Sequence, residues 1–236
     1  GLLEHGCRVI VVDRAQDALD AAAETLVTRG AAVETHVADL EDATDRAALI
    51  DAIGQRPSGL DILVNNAAFV GDSGLAGWAT PFEQQSVDTW RRALEVNLTA
   101  PFHLSQAFAP LLTASGHGSI INIGSIYGVV GPDLALYEGT SMGNPAAYAA
   151  GKGGLLQLTR WLSTVLAPAV RVNAISPGGI ARGQSAAFVD RYLARTPMQR
   201  MGTEEDFQGA AHFLASDLSR WVTGQNIVVD GGWTAW

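Results

Sequence analysis

"GSIINIGS" (118–125) decides the architecture. Its centre is an apolar, β-branched run held between glycines, too short for a helix. A run of that kind reads as a strand covered on both faces. Working outward, "LDILVNNA" (60–67) has the same character upstream, and "VRVNAISPG" (170–178) and "QNIVVDGG" (225–232) have it downstream. Nearer the start, "RVIVVD" (8–13) is a further buried strand, while "AVETHVAD" (32–39) alternates and reads as an outer one. Helical periodicity fills the intervals at 15–29, 42–54, 86–113, 146–167 and 204–216. Strands alternating with helices predict an α/β fold, a parallel sheet wound on both sides. The opening "GLLEHG" (1–6) reads as the end of a helix closed by Gly6. No repeat or Pro/Gly linker divides the chain, so one domain over 1–236 is expected.

The 236 residues are 47% hydrophobic and 17% charged, which allows a sizeable core and excludes a disordered chain. No apolar run approaches the ~18 residues of a membrane span, and no leader is visible. A net charge of −9 disfavours nucleic acid and anionic membrane as partners. Cys7 is the single cysteine, so no internal disulfide can form, and a reducing, cytoplasmic setting is expected. His5, His36, His103, His117 and His212 are scattered without ligand spacing, so no metal site is expected.

Pro145 opens a helical stretch, "AAYAAGKGGLLQLTRWL", whose small residues suit close packing against another segment. Tyr148 and Lys152 stand at i and i+4 and project from one face. A nearby ammonium favours a phenolate, so this pair is expected to lower the tyrosine pKa and make an acid/base group. Ser125 ends the "SIINIGS" strand at the carboxyl edge of the sheet, where ligands bind in open α/β folds. "NNAA" (65–68) and "NAISPGGI" (173–180) end other strands at the same edge. Asn97, in "ALEVNLTAPF", has apolar neighbours and is expected to point inward. Tyr127 and Tyr137 lack a lysine four residues on and rank below Tyr148. Asp13 ends its strand where a carboxylate can take ribose hydroxyls and repel a 2′-phosphate.

In their order, "NNAA", "EVNLTAPF", "INIGSIYG", "YAAGK", "RVNAISPGGI" and "TGQNIVVDGG" resemble the classical short-chain dehydrogenase/reductase family across residues 1–232. The resemblance implies a single-domain Rossmann-type doubly wound sheet and an enzyme that moves a hydride between an alcohol or carbonyl and a nicotinamide cofactor. By it, Tyr148 is the acid/base, Lys152 tunes it and holds the nicotinamide ribose, Ser125 steadies the substrate oxygen, and Asn97 supports a relay water. Asp13, Arg14, Asp39, Leu40, Asn65 and Ala67 fall on the adenosine side of the cofactor, and Pro177, Gly178 and Ile180 on the nicotinamide side. NAD is expected over NADP, with Arg14 softening the preference. A small-molecule substrate is implied, and a homotetramer or homodimer built through the long helices and the C-terminal segment, where Trp233 and Trp236 serve the contact or the core.

Three departures qualify that resemblance. Ala68 stands where glycine is usual. The interval from Ser125 to Tyr148 is longer than typical, adding "VVGPDLALYEGTSMGNPA" (129–146), whose Tyr137, Glu138, Thr140, Ser141 and Asn144 offer polar contacts. With the loop at 69–86 it points to a polar, sugar-like substrate and to a likeness with bacterial surface-sugar dehydrogenases. The stretch 176–200 resembles a lid. Finally, the opening lacks the first strand and the glycine-rich phosphate turn, which implies that roughly two dozen preceding residues are missing from a sequence that begins late. That lack also sustains a rival reading, a non-catalytic cofactor sensor or scaffold on the same fold.

Overall fold

The computed structural model describes residues 6–30, 32–56, 59–70 and 74–236. The helix end expected over 1–5, with His5, and positions 71–73 of the long loop lie outside the described residues. Strand β4 (Gly118–Ile123) takes the inner place anticipated for it. It lies between β3 (Ile62–Asn65) and β5 (Val170–Pro177) in a four-stranded parallel sheet that ends in β6 (Asn226–Val229). Ile121 is in register with Val64 on one side and Asn173 on the other. Successive side chains leave opposite faces. Ile120 joins Phe108, Leu112 and Leu162 in one core cluster, and Ile121 joins Ile175 and Leu214 in another. The helical partners come from α4 (Ala100–Ser115) and α5 (Ala146–Leu166) on one face and from α7 (Gln208–Ala215) on the other, while Ile175 is on β5. Helices thus cover both sides of the sheet.

Strands β1 (Val9–Asp13) and β2 (Val33–Val37) form a separate parallel pair. Among the described residues no ladder joins β1 to β3 across the gap between them. One apolar cluster bridges it: Ile10 and Val12 pack against the group that holds Ala38, Leu49, Phe108 and Leu112. Helices α1 (Gln16–Thr28) and α2 (Ala43–Gly54) complete this side, the second capped by Asp42, which accepts from the N–H groups of Thr44 and Asp45.

The helix expected over 86–113 is interrupted. It runs as α3 (Val87–Leu94), a π-helical turn over Glu95–Thr99, and then α4. Pro101 explains the break, since it has no N–H to give the carbonyl of Asn97 and its ring crowds that carbonyl. The small residues of α5 do allow close packing. A Cβ on Gly151 would stand 3.1 Å from Cβ of Asn97, and one on Gly128 would meet the Lys152 backbone at 2.8 Å. Within 176–200 lies a helix that periodicity did not reveal, α6 (Ala186–Arg195), capped by Ser185.

Candidate active site

The carboxyl ends of β1, β2, β4 and β5 open on one cleft of about 720 Å³. Asp13, Arg14, Asp39, Leu40 and Ala67 line one end of it, and Ser125, Tyr148, Lys152, Pro177, Gly178 and Ile180 also line it. Two expected residues stand elsewhere. Asn65 is buried in the core, where its amide donates to Oδ1 of Asn122 (2.8 Å), whose own amide reaches Thr159 (2.8 Å); its neighbour Asn66 lines the cleft in its place. Asn97 lies behind the wall, 1% exposed, with Oδ1 accepting from the Phe69 N–H (2.8 Å) and Nδ2 donating to the Phe69 carbonyl (3.1 Å). Its side chain is committed to that backbone.

Ser125 leaves β4 in extended conformation, and its hydroxyl accepts from the Tyr127 N–H (3.1 Å). It shares the cleft wall with Tyr148, and its hydroxyl opposes the effect of burial on that phenol. Burial prevails and holds the Tyr148 pKa above its ordinary value. This corrects the expectation of a lysine-lowered tyrosine. Lys152 sits with its ammonium 5.9 Å from the Tyr148 ring centre and donates to the Ile123 carbonyl (2.6 Å). Desolvation pulls its pKa down to about 8. Tyr127 and Tyr137 hydrogen-bond each other (2.8 Å), so the two competing phenols are occupied together while Tyr148 faces Ser125.

From the long interval before α5, Tyr137, Met142, Gly143 and Asn144 reach the cleft. Glu138 instead offers its carbonyl to Arg191, and Thr140 turns back to the Tyr137 carbonyl. Phe188 and Tyr192 line the opposite side and escaped sequence reading, although their i, i+4 spacing on α6 is the available signal. The Tyr192 hydroxyl accepts from the Gly179 N–H (2.6 Å), and burial pushes its pKa up to about 12. Trp233 stacks on Tyr192 and carries the Arg195 guanidinium at 4.7 Å, which makes it core; Trp236 is exposed. Among the described residues no group of three His, Cys, Asp or Glu could hold a metal ion, and no helix is long and apolar enough to cross a membrane.

Known proteins share the fold and much of the sequence. A family profile described as "Enoyl-(Acyl carrier protein) reductase" matches residues 1–234. The galactitol 2-dehydrogenase (L-tagatose-forming) of Cereibacter sphaeroides is 37% identical over 244 residues, covering 98% of this chain and 87% of that protein. A gluconate 5-dehydrogenase from Burkholderia cenocepacia J2315, solved with NADP and tartrate, superposes with a TM-score of 0.84 at 32% identity, over 99% of this chain and 88% of the other. A short chain dehydrogenase from Leptospira borgpetersenii with bound NAD+ gives 0.80 at 32% identity, over 96% and 92%. The chain belongs to the classical short-chain dehydrogenase/reductase family of oxidoreductases.

Proposed function

We propose that this chain is an NAD-dependent dehydrogenase that interconverts an alcohol and a carbonyl on a small polar substrate, a polyol or sugar derivative. The reading is of one catalytic domain over 1–236, working in the cytoplasm as a homodimer or homotetramer. One observation carries it: Ser125, Tyr148 and buried Lys152, the last two one turn apart on α5, line the wall of one cleft of about 720 Å³. A sensor or scaffold needs no such proton-handling set.

The residues present fit a dinucleotide. Gly178 and Gly179 line the cleft, and a Cβ on Gly178 would meet Cα of Asp230 and the Tyr192 hydroxyl, both at 2.8 Å, so this part of the wall admits no side chain. Lys152 has a buried ammonium with one hydrogen bond in the structure, which leaves donors for ribose hydroxyls. At the other end Asp13 uses Oδ1 to accept from the Ala15 N–H (2.9 Å), and its second oxygen remains to accept from a ribose. Asp13, Arg14, Asp39, Leu40 and Ala67 would hold the adenosine half, and Lys152, Pro177, Gly178 and Ile180 the nicotinamide half. When bound, the cofactor supplies or takes up the hydride.

This chain's own residues handle the proton. The Tyr148 hydroxyl, kept protonated by burial, gives its proton to a carbonyl oxygen as that oxygen gains charge. Ser125 donates a hydrogen bond to the same oxygen and steadies it. In the reverse direction the phenolate form of Tyr148, stabilised by the Lys152 ammonium, takes the alcohol proton and returns to the phenol. Asn97 serves by position: its side chain fixes the Phe69 backbone, and its own backbone supports a relay water. The acidic Asp13 favours NAD over a phosphorylated cofactor. The similarity to a galactitol dehydrogenase and to a gluconate dehydrogenase, with the polar Tyr137 and Asn144 on the cleft wall, supports a polyhydroxylated substrate.

The test is fluorescence titration with NADH and NADPH, then turnover on polyols by wild type and Tyr148→Phe. NADH should bind more tightly than NADPH. The variant should keep NADH binding and lose about 10²–10⁴-fold in kcat. Turnover that survives the change would remove the mechanism.

A further inference from the structure

Arg182 lines the same cleft as Ser125 and Tyr148. Its backbone is fixed. Ile180 bridges to Gly202, the Ala181 N–H donates to the Gly202 carbonyl (2.9 Å), and the Arg182 N–H donates to Oε1 of Gln184 (2.7 Å). Gln184 closes the turn by donating to the Ile180 carbonyl (2.7 Å). The side chain is loosely held by contrast. It is 63% exposed and makes one monodentate contact, Nη2 to Oε1 of Glu204 at 2.8 Å, and Glu204 is itself 59% exposed. Such a pair is screened by water and salt and is cheap to break.

The other cations of the cleft wall are differently placed. Lys152 is buried on the Ile123 carbonyl, and Arg14 follows Asp13 directly and lies 5.6 Å over the Phe69 ring. An anion approaching a chain of net charge −9 needs a local cation to receive it. A guanidinium fork suits carboxylate and phosphate oxygens better than it suits one exposed carboxylate oxygen.

We propose that Arg182 is an anion-binding side chain of the cleft, which exchanges Glu204 for a carboxylate or phosphate oxygen of the bound ligand. The ligand is then either a substrate bearing a carboxylate, such as a sugar acid, or the diphosphate of the cofactor. The proposal rests on the cleft being the ligand site and is independent of the proton chemistry assigned to Tyr148.

Three proteins test it: wild type, Arg182→Gln and Glu204→Gln. NADH affinity is read by fluorescence, and gluconate and its neutral counterpart sorbitol are compared by thermal shift and, where turned over, by KM. Removing the guanidinium should weaken its anion about five- to tenfold, the loss of one charge-assisted hydrogen bond in a partly wet site. Removing Glu204 should tighten the same anion severalfold. Weakened NADH assigns the diphosphate. Weakened gluconate, with NADH and sorbitol unchanged, assigns a substrate carboxylate. No change in either anion, or no binding of either by wild type, overturns the proposal. Tyr148→Phe that still turns over would sink the catalytic reading and leave these binding results standing.

Discussion

Asn97 spends both ends of its amide on one residue's backbone, the N–H and C=O of Phe69. Replacing it by alanine strands two buried backbone groups, so Asn97→Ala should cost about 2–4 kcal/mol in urea unfolding as well as activity. Lys152 makes a prediction in pH. Its pKa falls from 10.5 to about 8 on folding, so below pH 8 the folded chain carries the full cost of a buried ammonium. As pH rises through the folded value that cost is shed, and stability should climb by up to about 3 kcal/mol before the unfolded value is passed. The raised phenols of Tyr127, Tyr137, Tyr148 and Tyr192 act oppositely once the unfolded tyrosines ionise. Urea denaturation at about pH 7.5 and pH 9.5 isolates the lysine, and Lys152→Met should flatten the rise. Residue reading succeeded for Ser125, Tyr148 and Lys152 in bringing them to one cleft, because a strand end and an i, i+4 step fix them. It misplaced Asn65 because one step along a strand exchanges core for cleft, and no pattern in "VNNAA" says which asparagine faces which way.

At the scale of elements, the six strands and most helices follow from apolar runs and periodicity within a few residues. The break between α3 and α4 was written in the sequence as Pro101, yet a proline near a helix start is usually harmless, and only its pairing with a π-turn reveals the interruption. Helix α6 escaped because its ten residues follow a loop rich in glycine, and only Phe188 and Tyr192 on it are buried. Close approach between elements makes a sharper prediction. The Ile126–Gly128 turn lies directly on α5, where any side chain at 128 meets backbone rather than a movable neighbour. Gly128→Ala should therefore destabilise by about 1–3 kcal/mol and disturb Lys152, with a matching loss of turnover. Gly54, whose added Cβ meets nothing within 4 Å, provides the control, and Gly54→Ala should leave both unchanged.

Across the whole molecule, the exposed apolar side chains are not evenly spread. Trp161 and Val165, four residues apart on α5, are 54% and 51% exposed, and Phe102 on α4 is 38% exposed. The proposed assembly through these helices would cover them. Trp161→Lys should shift sedimentation toward smaller species at low protein concentration and leave the monomer fold, read by circular dichroism, intact. A mass unaffected by the change would place the contact elsewhere.

The make-up of the cleft has a thermal consequence. It takes Asp13 from the end of β1, Asp39 from beyond β2, Ser125 from beyond β4 and Pro177 from the end of β5. A long ligand lying along it clasps all four strand ends at once. Amide protons of these strands would then gain protection together, and the melting temperature should rise with ligand concentration.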